Sequence, residues 1–131
     1  MTPLPLTHYR EGVATEELAG YARARRVGPM IAVSGTTALI DRTRPSGTYE
    51  QTRDCLERVI RAVEQLGGAA ASIARTRVFL GPGAAWEDAA RAHRELLGDF
   101  EPANTMLWVA GIIGEGLLVE VEAEAWAGPA V

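Results

Sequence analysis

The chain has 131 residues, 47% hydrophobic and 23% charged, the balance of one globular domain rather than of a disordered or fibrous chain. Its 13 basic residues are all Arg and are outnumbered by 17 acidic ones, which excludes a Lys Schiff base and a P-loop Lys and leaves no compositional footprint for nucleic acid. One Cys and two His are too few for a zinc site, no apolar run approaches the roughly 20 residues of a membrane span, and the first residues lack an export pattern, so a cytoplasmic protein with no metal and no membrane partner is expected.

In chain order, residues 1–18 hold Pro3, Pro5 and Gly12 without a sustained period and read as an irregular N-terminal arm or irregular strand of a single domain spanning 1–131. Tyr21 to Val27 alternates and Met30 to Gly35 is apolar, which predicts two strands joined by a tight turn at Gly28-Pro29. Asp41 to Gly47 reads as a loop. Thr48 and Gln51 have capping-box spacing at the start of a helix whose stripe runs through Thr52, Cys55 or Leu56, Val59, Ala62 or Val63 and Leu66, with Gly67-Gly68 as its stop. A strand is expected from Ile73 to Leu80. A second helix is expected from about Ala85 to Leu97, with Trp86, Ala89 or Ala90, His93, and Leu96 or Leu97 on its buried stripe. Strands over Thr105–Val109 and Leu117–Trp126 complete a β-β-α-β-α-β-β order, in which two helices cover one face of the sheet.

The last strand is the most informative. Val119, Val121, Ala123 and Ala125 alternate with Glu120, Glu122 and Glu124, so one face is apolar and the other carries three carboxylates. Those carboxylates need counter-charges, and Arg23 with Arg25 and Arg75 with Arg77 stand at strand spacing to supply them. Asn104, Met106 and Trp108 project together from the neighbouring strand and are expected on the same face as the acids. Such a mixed face suits a subunit interface enclosing polar clefts.

Gly20-Tyr21, Val33-Ser34-Gly35-Thr36, Gln51, Leu66-Gly67, Arg75-Thr76-Arg77-Val78, Pro102-Ala103 and Val119-Glu120-Val121-Glu122-Ala123, in this order, resemble the Rid family of reactive intermediate deaminases, also called YjgF-like or L-PSP proteins. The resemblance runs from about Gly20 to Trp126. It implies a chorismate-mutase-like α+β sandwich assembled as a homotrimer with three ligand clefts between subunits. It also implies hydrolysis of an imine or enamine without metal or organic cofactor, with a Glu on the last strand positioning water and an Arg directly after Pro-Ala holding the substrate carboxylate. The Glu is present as Glu120. The Arg is replaced by Asn104, as in a subgroup of the family that Gly20-Tyr21-Ala22-Arg23-Ala24, Trp86-Glu87, Arg91-Ala92-His93 and Thr105-Met106 also resemble. Gly81-Pro82-Gly83 and Trp108 depart even from that subgroup.

An Arg offers a carboxylate a permanently charged planar fork, whereas Asn offers one donor group and one acceptor without charge. The loss of such a contact is worth about 1.5–3 kcal/mol, so a substrate other than a simple 2-imino acid is expected. In this reading Glu120 is catalytic, and Asn104, Ser34, Tyr21, Gly35, Met106 and Trp108 contact the ligand. Bland readings stand beside these: Glu120 as one rung of a solvated charged strand, Ser34 as a turn former, Tyr21 as a boundary aromatic. His93 reads as a packed, hydrogen-bonded histidine and Cys55 as an inert buried thiol. The rival to the enzyme is a non-catalytic ligand-binding or interaction trimer on the same scaffold. An RNA-cleaving role lacks a basic patch or a His pair.

Overall fold

The computed structural model describes residues 6–39 and 47–128. The elements are β1 (His8–Tyr9), α1 (Ala14–Ala19), β2 (Ala24–Val27), β3 (Met30–Thr37), α2 (Thr48–Gln65), β4 (Ile73–Leu80), α3 (Trp86–Leu97), β5 (Ala103–Trp108) and β6 (Val119–Trp126). They form an α+β fold whose six-stranded sheet has the order β1-β2-β3-β6-β4-β5. Every neighbouring pair is antiparallel except β4 and β5, which α3 connects as a parallel crossover. The expected loop over 41–47 lies outside the described residues apart from Gly47.

The core lies between α2, α3 and one face of the sheet. Val119, Val121, Ala123 and Ala125 of β6 are buried there, with Ile31 and Val33 of β3 and Val78 and Leu80 of β4. Cys55, Leu56, Val59, Ala62 and Val63 of α2 pack down on them at helical spacing. The β6 alternation therefore divides the sheet as the sequence predicts. Burial pushes the Cys55 thiol far above its ordinary range, in keeping with an inert side chain.

Four local expectations differ from the structure. In the N-terminal segment residues 8–9 form the short strand β1, and residues 14–19 form the unexpected helix α1. The cause is tertiary: the buried Glu16 carboxylate accepts N–H bonds from Glu11, Gly12, Val13 and Arg23, while Gly20, at φ 72°, closes the helix. Thr48 and Gln51 form no capping box, because Gly47 is the N-cap and both side chains reach elsewhere. Thr48 Oγ1 accepts from the Ala85 N–H, and Gln51 bridges Gly116 O and the Leu118 N–H at 3.0 and 2.9 Å. Trp86 opens α3 half exposed, and the buried positions of that helix are Ala89, Ala92 and Leu97. Strand limits also shift: β2 starts at Ala24 rather than Tyr21, β5 spans 103–108, and β6 starts at Val119.

The largest correction concerns β5. Its register sets Asn104 beside Thr76, Met106 beside Val78 and Trp108 beside Leu80, and Thr76, Val78 and Leu80 all point toward the helices. Paired residues share a face, so Asn104, Met106 and Trp108 stand on the helix side of this edge strand, not with the Glu residues. Ala103, Thr105 and Leu107 occupy the acidic face instead.

Candidate functional site

The open face of the sheet holds the three glutamates in two different environments. Arg77 bonds Glu122 and Glu124 at 3.2 and 2.9 Å, and Arg75 lies 3.9 Å from Glu124. The expected counter-ion role of Arg75 and Arg77 is thus realised by register, since β4 pairs Arg75 with Glu124 and Arg77 with Glu122. Arg23 turns elsewhere: its Nε lies 2.8 Å from Glu11, and its Nη1 donates to Gly35 O at 2.7 Å and to Thr36 Oγ1 at 3.2 Å. Arg25 is exposed on β2, paired with Ala32 of β3 and His8 of β1.

Glu120 is set apart from that network. It sits between Thr37 of β3 and Phe79 of β4, and among the described residues it forms no ion pair. Burial raises its pKa above the ordinary carboxylate value; the Glu122 charge adds to the rise and Arg23 opposes it. Met106 and Trp108, expected beside the acids, take no part in this rise, because their side chains are on the other side of the sheet. The room for the carboxylate comes from Gly35, where a Cβ would fall 2.8 Å from Glu120 Oε1. The β3–β6 register shifts between Val33 and Thr36, which bulges the backbone at this point.

Tyr21 and Ser34 line a cavity of 530 Å³ on the same side, beside His8, Arg10 and Arg25. The hydroxyls of both are already engaged: Tyr21 donates to Thr15 Oγ1 at 2.8 Å and Ser34 to Ala22 O at 2.7 Å. Gly35, which the Glu120 carboxylate overlies, follows Ser34 directly in β3, but neither Gly35 nor Glu120 lines this cavity. Tyr21 and Ser34 thus share one cavity and Gly35 and Glu120 one close approach, joined through the Ser34–Gly35 peptide.

Asn104, Met106 and Trp108 form a second region between β5 and α3. Asn104 and Met106 line a cavity of 320 Å³ with His93 and Arg94, and also one of 390 Å³ with Trp86 and Trp108. The sequence reading did not assign Thr76 or Arg23 to a site. Thr76 is fully buried, accepts a 3.0 Å bond from Asn104 Nδ2 and lies 2.8 Å from His93 Nε2. Arg23 is the cation whose charge reaches Glu120. Thr76 was findable as the one hydroxyl in the inward-facing set Thr76, Val78, Leu80; nothing in the sequence signals the contacts of Arg23.

Residues 11–127 match the family described as Endoribonuclease L-PSP. Protein SCO2049 of Streptomyces coelicolor is 36% identical over 130 residues, covering 98% of this chain and 97% of that one. Rv2704 of Mycobacterium tuberculosis, a member of the YjgF/YER057c/UK114 family, has a crystal structure similar at TM-score 0.84 and 35% identity, covering 92% of this chain and 98% of that one. TdcF of E. coli, solved with bound serine, shares the fold at TM-score 0.76 and 19% identity, covering 97% and 100% of the two chains. The chain belongs to the L-PSP (YjgF-like) family, with the fold that its residue pattern predicted.

Proposed function

We propose that this chain is a Rid-like small-molecule enzyme that hydrolyses, or tautomerises, an imine or enamine other than a simple 2-imino acid, with Glu120 as its catalytic residue. The observation that carries this reading is the environment of Glu120: a carboxylate placed over Gly35, outside the Arg75 and Arg77 pairs, with its pKa raised by burial. A carboxyl group moved toward neutral pH exchanges protons efficiently in both directions. In hydrolysis, water adds to the C=N carbon while Glu120 takes its proton. That proton passes to the nitrogen to give a carbinolamine; the carbinolamine hydroxyl then gives up its proton, by way of Glu120, to the nitrogen as the C–N bond breaks, and the products are a carbonyl compound and ammonia or an amine. No cofactor enters that sequence.

Within one chain Glu120 and Asn104 lie on opposite faces, so a site using both must be completed by a second copy. The reading therefore includes a homotrimer in which the acidic face of one copy meets the β5 edge of the next. An exposed edge strand with half-exposed Leu107 and Trp108 is the kind of surface such an assembly covers. Serine bound to the distantly similar TdcF supports small-molecule binding on this fold.

The test compares ammonia release from two imines made in situ: 2-aminoacrylate from a serine dehydratase, and the uncharged imine that an amine oxidase forms from phenylethylamine. Acceleration of the uncharged imine alone is expected, with Glu120→Gln slowing it about a hundredfold or more. Full activity of Glu120→Gln on assembled protein would instead favour the non-catalytic binding module. Rapid turnover of 2-aminoacrylate would show that the lost Arg is dispensable.

A further inference from the structure

Asn104 is not a free surface amide. Its Nδ2 donates to Thr76 Oγ1 at 3.0 Å, and that hydroxyl lies 2.8 Å from Nε2 of His93. Thr76 is fully buried, and its hydroxyl, with one proton and two lone pairs, accepts from Asn104 and meets His93 Nε2 as well. With the hydroxyl proton directed to Nε2, the imidazole carries its own proton on Nδ1. A neutral ring is required for this, and burial favours it by lowering the His93 pKa.

This chain of bonds fixes which way the Asn104 amide faces. With one N–H committed to Thr76, the remaining N–H and Oδ1 are available to the two cavities that Asn104 borders. Oδ1 accepts no hydrogen bond among the described residues. A donor beside an acceptor complements an H–N–C=O edge, whereas a carboxylate would set one oxygen against Oδ1. The charged residues lining the smaller cavity, Arg94 and Glu101, are of opposite sign, so the cavity wall favours neither an anion nor a cation. The adjoining cavity is walled by Trp86, Met106 and Trp108, which suit a flat apolar group.

We infer that Thr76 and His93 are positioning residues that lock Asn104 to recognise an uncharged amide edge, so that this site takes an amide-ended compound with an apolar or aromatic body in place of a 2-imino acid. The inference rests on the small-molecule reading above and names the substrate class of that site. Selectivity is enforced by the relay: a swivelling Asn can turn both N–H groups to a carboxylate, and a tethered one presents a single N–H beside Oδ1.

The test is binding of phenylacetamide and phenylacetate to the full chain, followed by NMR of the Asn104 side-chain amide and the Trp86 and Trp108 indoles. The wild-type protein is expected to bind the amide about tenfold more tightly, Thr76→Val to lose most of that preference, and Thr76→Ser to restore it. Equal or tighter binding of phenylacetate at Asn104 overturns the inference and leaves the small-molecule reading standing. Failure of both compounds to perturb Asn104 or the two indoles also overturns the inference, while the ammonia-release assay decides the small-molecule reading separately. Independently of any variant, the ¹⁵N spectrum of wild-type His93 is expected to show protonated Nδ1 and unprotonated Nε2 at neutral pH, and a proton on Nε2 would overturn the relay.

Discussion

Glu120 differs from Glu122 and Glu124 although all three point out of one face of one strand. The difference lies in neighbours: Arg77 reaches the latter two, while Glu120 lies over Gly35 beside Phe79. Its raised pKa has a consequence for stability. A carboxyl whose folded pKa lies above its unfolded value binds protons more readily when folded, so ionising it costs stability as pH rises through that folded value. Glu120→Gln is therefore expected to be slightly more stable than wild type at pH 7, by under about 1 kcal/mol, with the gain vanishing below the ordinary carboxylate range. Thermal melts across pH 3–8, a range of roughly five units, check this. A variant less stable than wild type at pH 7 would show that the carboxylate serves the fold. The glutamate was legible in the sequence as an outward strand position, but its isolation was not, because strand spacing gives the face of Arg75 and Arg77 and not the reach of their side chains.

At the scale of elements, periodicity revealed α2, β4 and β6 well, since burial of one face imposes a strong pattern on each. It failed where tertiary bonds do the work. The six residues of α1 are too few to be helical alone and are held by Glu16 and by the neighbouring Glu11. Glu11 bonds Arg58 through both oxygens, at 3.1 and 2.5 Å, and lies 2.8 Å from Arg23. Burial alone would raise the pKa of Glu11, but the Arg58 bond and charge, followed by Arg23, outweigh it and lower the value. The stabilisation is thus present above the ordinary carboxylate pKa and lost as pH falls through the depressed one. Glu11→Ala leaves Arg23 and Arg58 buried without their shared anion and is expected to cost about 3–5 kcal/mol at neutral pH, with a smaller penalty in acid. Denaturant melts at pH 7 and pH 3, two conditions roughly astride the carboxylate range, measure it, and equal stability of variant and wild type at pH 7 would contradict the account. The Thr48 and Gln51 spacing misled for a related reason: the same side chains that suit a cap also bridge to Ala85, Gly116 and Leu118, and sequence spacing does not register a partner 67 residues away.

For the whole molecule, the order of elements and the single covered face follow from hydrophobic alternation, and the family pattern agrees. The placement of Asn104, Met106 and Trp108 did not follow. A period of two says which residues share a face but leaves the choice of face to register, and in β5 neither set is apolar enough to decide it. Parallel pairing with β4 decides it by matching Asn104 to buried Thr76. That pairing divides the proposed site between two surfaces of each chain and makes assembly part of its chemistry. Its most direct test is a crystal structure of the assembled protein grown with phenylacetamide. The account predicts the ligand between two copies, its amide against Asn104 and its ring against Trp86 and Trp108 of one, with Glu120 of the other facing it. Glu120 open to bulk solvent in every copy would contradict it.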